Sequence, residues 1–129
     1  MPKPAIVTAR EMSATATFIP SLGFDWGVVC TGQHVQLTWS RYEPGVPYEM
    51  HQHDYEQVSV LLKGRMRLTV GDLTRDIAAG DAWFAPAGVE HGGDVIGSEP
   101  AVFLDIYGPP SASVLEFLRT HGESDRSPA

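Results

Sequence analysis

The stretch that decides the fold is GVPYEMHQHDYEQVSVLLKG, residues 45–64. His51 and His53 are two residues apart, which on a strand puts both imidazoles on one face. Gln57 shares their parity and can point the same way. Two imidazoles and an amide oxygen converging on one point form a facial ligand set for a borderline to hard metal ion. Glu56 is the rival ligand, but its parity turns it to the opposite face unless a β-bulge intervenes.

Downstream, GDAWFAPAGVEH at residues 80–91 reads as a short strand, a Pro-Gly turn and a histidine on the far side. A barrel hairpin would bring His91 opposite the first pair. Between these segments, Val58 to Leu62 is a short apolar run, and Met66, Leu68 and Val70 alternate with Arg65, Arg67 and Thr69. Lys63-Gly64, Gly71-Asp72 and Ala79-Gly80-Asp81 supply turns, with Leu73 to Ile77 as the return strand and Ala82 to Ala85 as the next. Upstream, Val35, Leu37 and Trp39 alternate with Gln36, Thr38 and Ser40 across a strand over 34–42. Ala101 to Tyr107 is the last strong strand, ended by Gly108-Pro109-Pro110. Residues 1–32 are mixed; Phe18-Ile19 and Gly27 to Cys30 read as short strands. The one convincing helix is C-terminal, over about 113–121, with Ser113 and Glu116 at capping-box spacing and Gly122 as its stop. A polar, frayed tail is expected to follow. Seven or more short strands in one domain of 129 residues point to an all-β barrel or double-sheet jelly roll.

The bulk numbers exclude several functions. Nine Lys and Arg stand against 16 Asp and Glu, a net charge of −7, which argues against nucleic acid and anionic membranes. There is no apolar run of signal-peptide or membrane-spanning length, so the expectation is a cytoplasmic protein. The single cysteine, Cys30, rules out an intrachain disulfide and reads as a small buried apolar residue.

Taken together the two segments resemble the cupin superfamily. Gly45, His51, His53 and Gly64 match the first cupin motif, with Gln57 where glutamate is usual; Gly80, Pro86, Gly88 and His91 match the second, with Val95 where asparagine is usual. The resemblance implies a conical β-barrel over about residues 33–108, holding one divalent transition metal (Ni, Zn, Fe, Mn or Co) on His51, His53, Gln57 and His91. It also implies a homodimer. The neutral Gln57 would leave the ion a stronger Lewis acid than glutamate would. The strings H-x-H-x-x-E-Q, G-D-A-W-F-x-P-x-G-V-E-H-G and L-D-x-aromatic-x-P-P are similar to those of small cupins of pectin degradation, which convert unsaturated uronates to linear keto sugars. That subgroup places an aspartate facing the metal where Asp105 stands and an aromatic where Tyr107 stands. It also carries an arginine for the uronate carboxylate, where this chain has Ser111.

Asp105 is a charged residue inside the apolar strand Phe103-Leu104-Asp105-Ile106-Tyr107, costly to bury without a partner. A cation would supply one and make Asp105 a general acid or base; an Arg or backbone partner at the barrel rim would make it structural. Tyr107 donates a hydrogen bond or lines the cavity. Tyr55 and Glu49 are weaker candidates, Trp83 and Phe84 read as core or pocket wall, and His34 and His121 fall outside both motifs. Three functions follow from these residues: a metal-dependent isomerase, lyase or cyclase acting on a small polar substrate, a metal-dependent dioxygenase, or a non-enzymatic small-molecule-binding cupin. No helix-turn-helix is appended for DNA binding.

Overall fold

The computed structural model describes residues 3–125, with side chains as far as Thr120. A short helix α1 (Ala9–Ala14) leads into ten strands and a final helix. The strands are β1 (Thr17–Ile19), β2 (Phe24–Thr31), β3 (Gln36–Tyr42), β4 (Tyr48–His51), β5 (Glu56–Lys63), β6 (Arg65–Val70), β7 (Leu73–Ala78), β8 (Ala82–Ala85), β9 (His91–Ile96) and β10 (Ala101–Gly108), followed by helix α2 (Ala112–Asp125). They pair antiparallel in two sheets, one ordered β1-β2-β3-β10-β5-β8 and the other β4-β9-β6-β7. This is the all-β jelly roll expected from the strand pattern.

The larger sheet carries its inward side chains in rows across neighbouring strands, and the rows differ in chemistry. Ser40, Phe103 and Leu61 form one row, facing Met66 and Leu68 of the other sheet in an apolar core with Tyr42, Tyr48, Trp83 and Ala101. Thr38, Asp105, Ser59 and Trp83 form the next. Gln36, Tyr107, Gln57 and Ala85 form the third. The barrel interior therefore changes from hydrocarbon to hydrogen-bonding groups along its length, and all the polar members are buried. Most of them find a partner inside, because desolvated polar groups are costly alone; Thr38 Oγ1 and Trp83 Nε1 are the exceptions.

Several local expectations are corrected. The strand expected over 34–42 begins at Gln36; it buries Gln36, Thr38 and Ser40 together with Trp39, while Val35, ahead of it, is exposed. Phe84 points outward and is half exposed rather than lining the interior. Cys30 is exposed, not buried, because its place on β2 faces solvent. The structure adds α1, capped by a box in which Glu11 N–H donates to Thr8 Oγ1 and Thr8 N–H to the Glu11 carboxylate. At α2 the capping group is Ser111 and not Ser113: Val114 N–H donates to Ser111 Oγ at 3.2 Å, and Leu115 N–H to the Ser111 carbonyl at 3.2 Å. Glu116, free of any capping role, pairs with Arg119. The helix runs through Gly122 to Asp125; a glycine weakens a helix by about 1 kcal/mol but does not end one. The tail expected to fray from Glu123 to Ala129 is helical as far as Asp125, and its remainder, residues 126–129, lies outside the described residues, as does the side chain of His121.

Candidate metal centre and cavity

His51 ends β4, His91 begins β9, and the two are cross-strand partners. A register shift between Tyr48 and His51 marks a bulge in β4, which lets both Tyr48 and His51 serve the interior although they differ in parity. Gly92 permits the close pairing, since a Cβ there would lie 2.6 Å from the Tyr48 carbonyl oxygen and 2.8 Å from Met50 N. His53 is not on a strand. It lies in the loop between β4 and β5, held where Gly88 N–H donates to the His53 carbonyl at 2.7 Å. Tyr55 stacks on its ring at 3.9 Å between centroids.

Each histidine donates from Nδ1 to a backbone carbonyl: His51 to Glu49 at 2.7 Å, His53 to Tyr55 at 2.9 Å, and His91 to Val89 at 2.9 Å. A carbonyl only accepts, so each Nδ1 carries a proton, which leaves Nε2 as the nitrogen available to a metal. One nitrogen from each of the three rings lies within 4.8 Å of the other two. Gln57, deeply buried on β5, points its Oε1 at His53 Nε2 (3.0 Å) and His91 Nε2 (3.1 Å). Its amide nitrogen is committed elsewhere, donating to Ser59 Oγ at 2.8 Å, Asp105 Oδ1 at 3.1 Å and the Tyr48 hydroxyl at 3.2 Å. The ionised Asp105 carboxylate accepts only, which fixes the orientation of the Gln57 amide.

With the Nδ1 protons so placed, a neutral ring presents its Nε2 lone pair to the Gln57 Oε1 lone pairs. Two imidazole nitrogens and an amide oxygen at about 3 Å repel unless a positive charge lies among them. A proton is disfavoured: burial pulls His91 from the usual 6.5 down to about 4, and burial also lowers His51. A cation among the three histidine nitrogens would relieve this repulsion, and imidazole donors suit a divalent transition metal. Glu56 is exposed on the other face of β5 and takes no part.

Asp105 is outside the ligand cluster. It stands behind Gln57, with Oδ1 accepting from Ser59 Oγ at 2.6 Å and Oδ2 from the Tyr107 hydroxyl at 3.3 Å. Its partners are these side chains, neither Arg nor backbone. Burial raises it from 3.8 to about 6 despite the three donors. Tyr107 both donates to Asp105 and borders the cavity, and burial raises its phenol well above the usual range. Trp83 packs in the core, while Glu49 and Tyr55 border the cavity. Tyr48 and Ser59 are site residues that the sequence reading passed over. A serine inside Val58-Ser59-Val60, on the parity of Gln57, was the available signal for Ser59; the bulge hid Tyr48.

A β-barrel with this cluster in its polar end defines a class, the small metal-binding cupins. Residues 38–107 match the family model described as a cupin domain, so the chain belongs to the cupin family. It is 34% identical over 72 residues to the H2HPP isomerase of Bacillus subtilis, a stretch covering 55% of this chain and 30% of that protein. The matched stretch thus spans less than a third of that relative. Among solved structures it resembles KdgF from Halomonas sp. at a TM-score of 0.75 and 16% identity, covering 87% of this chain and 99% of the other. An RmlC-like cupin from Shewanella frigidimarina gives 0.74 and 18%, covering 88% and 97%. Among the described residues no helix is long and apolar enough to cross a membrane.

Proposed function

We propose that this chain is a metal-dependent enzyme acting on a small polar, sugar- or keto-acid-like substrate by isomerisation, ketonisation, cyclisation or elimination. His51, His53, Gln57 and His91 would hold one divalent ion, Ni, Zn, Fe, Mn or Co. When bound, such an ion supplies Lewis acidity toward a carbonyl or enol oxygen.

The observation that carries the reading is the placement of a carboxylate beside an uncharged ligand set. Asp105 borders the same cavity as His51 and His53 while its hydrogen bonds hold it back from the cluster. Asp105 takes a proton from the carbon next to a substrate carbonyl and returns it to a different carbon, a net isomerisation that needs no oxidant. Ser59, Gln57 and Tyr107 hold the carboxylate in one orientation for both transfers.

The test is hydrogen–deuterium exchange at the carbon beside the carbonyl of a panel of 2-oxo acids and unsaturated uronates, followed by NMR in D2O with the metal-loaded protein. The reading predicts exchange in wild type and a loss of about 100-fold or more in Asp105→Asn, with metal content unchanged. A full rate in that variant removes Asp105 from the chemistry. Oxygen uptake on the same substrates, with no turnover in anaerobic buffer, would replace this reading by a dioxygenase. Binding of these compounds without turnover would leave a binding cupin.

A further inference from the structure

A cavity of about 360 Å³ runs from the histidine cluster toward β2 and the start of α2. Its size is at the small end for ligand sites. Its lining includes the site residues His51, His53, Asp105 and Tyr107 and, from β2 and β3, the aromatic residues Phe24, Trp26 and Tyr42, with Leu22, Met50 and Val114. Phe24 stacks on Tyr42 at 4.2 Å, and Trp26 is tilted by 50° against Phe24, so the aromatic rings make a bent wall. Among the described residues no lysine or arginine borders the cavity, and its carboxylates are Glu49 and Asp105. Arg41 on β3 points away to Asp25 and Glu43, and Arg67 is engaged by Asp76.

We infer that the substrate of this site has a single oxygen-donor head, directed to the histidine cluster, and a flat, uncharged ring as its tail, seated against Phe24 and Trp26. This rests on the enzyme reading above and narrows it. An anionic tail would be buried beside two carboxylates with no counter-charge. A polyhydroxylated tail would need a hydrogen-bond partner for each hydroxyl, and beyond the site residues the lining offers the hydroxyls of Ser21, Ser40 and Tyr42 and the Trp26 N–H among mostly apolar groups. A flat ring loses nothing on desolvation and gains contact with ring faces and edges. The residue that takes the place of the subgroup's arginine, Ser111, is spent on capping α2 and bonding Gln36.

The test holds the head constant and varies the tail. Benzohydroxamate, gluconohydroxamate and 4-carboxybenzohydroxamate share one chelating group. They are titrated by calorimetry and tryptophan fluorescence into zinc-reconstituted and metal-free protein. The inference predicts that benzohydroxamate binds the zinc protein about tenfold or more tightly than either of the others. Trp26→Ala should shrink that preference to less than about threefold while Trp26→Phe keeps it. Gluconohydroxamate or the carboxylated probe binding as tightly as benzohydroxamate would overturn the ring assignment and leave the metal-centred reading intact. No difference between zinc-loaded and metal-free protein for all three probes would overturn the metal-centred reading and this inference together.

Discussion

At the scale of single residues, the site is organised by the two ends of the Gln57 amide. Its oxygen faces His53 and His91, and its nitrogen serves Asp105, Ser59 and Tyr48. The negative charge that a glutamate would bring to the ligand cluster is thereby moved one layer back, onto Asp105. Gln57→Glu would put two carboxylates about 3 Å apart with the bridging donor gone. The metal-free variant should lose about 1–3 kcal/mol at neutral pH. It should recover as the pH falls, because a pair of close carboxylates holds one proton in the fold. Urea unfolding across pH checks this, and an unchanged midpoint at pH 7.5 would refute it. The histidines give a second signature. His91 is depressed from 6.5 to about 4, so in metal-free protein the unfolded chain takes up a proton through this window that the fold refuses. The stability tied to neutral His91 is present above about pH 6.5 and is lost as pH falls toward 4. Asp105, raised from 3.8 to about 6, acts the other way: it favours the fold below 3.8 and loses that contribution as pH rises through 6. The two slopes oppose each other in wild type. In Asp105→Asn the histidine slope stands alone, and the unfolding midpoint should fall steadily from pH 6.5 to 4; a flat profile would count against the buried, neutral cluster.

At the scale of elements, positioning depends on two places where the chain passes itself closely. Gly92→Ala would drive a Cβ into the β4 backbone at Tyr48 and Met50, pushing His51 away from His91. The expected outcome is at least a tenfold loss of metal affinity with the circular dichroism spectrum of the barrel retained, roughly the loss seen when ligand support is removed. Ser111→Ala removes the cap of α2 and should cost about 1 kcal/mol in thermal or urea unfolding. These elements also show what the sequence could disclose. The alternation in β6 was legible because that strand has one buried and one open face; β5 and β10 were legible as apolar runs, and β7, which buries no residue, only as the return after a turn. β9 was not, since Gly92-Gly93 are poor strand formers chosen for close backbone approach on both sides, to β4 at Gly92 and to β6 at Gly93. α1 went unread because it buries no side chain and so has no apolar stripe; its capping box, Thr8 with Glu11, was the readable sign. The meeting of His51, His53 and His91, with Gln57 beside them, was legible from spacing. The network behind them was less so, because polar residues facing into a barrel reverse the usual rule that the apolar face of a strand is the inner one.

At the scale of the whole molecule, the outer face of the larger sheet carries an apolar row across four strands: Leu37, Ile106, Val58 and Phe84. Ile106, Val58 and Phe84 are 38%, 42% and 50% exposed, a contiguous patch of the kind that usually marks an interface. We propose this face as the contact of the homodimer. Light scattering should give a dimer for wild type and a monomer for Phe84→Glu combined with Ile106→Glu; a wild-type monomer at tens of micromolar would dismiss it. The proposed function depends on a cation held inside the barrel by the three histidines and Gln57. The most direct measurement is elemental analysis of protein purified without chelator or added metal, alongside His51→Ala and His91→Ala. About one equivalent of divalent transition metal per chain in wild type, falling below about a tenth in both variants, is the expected result. Equal metal content in all three proteins, or none in wild type even after reconstitution, would contradict it.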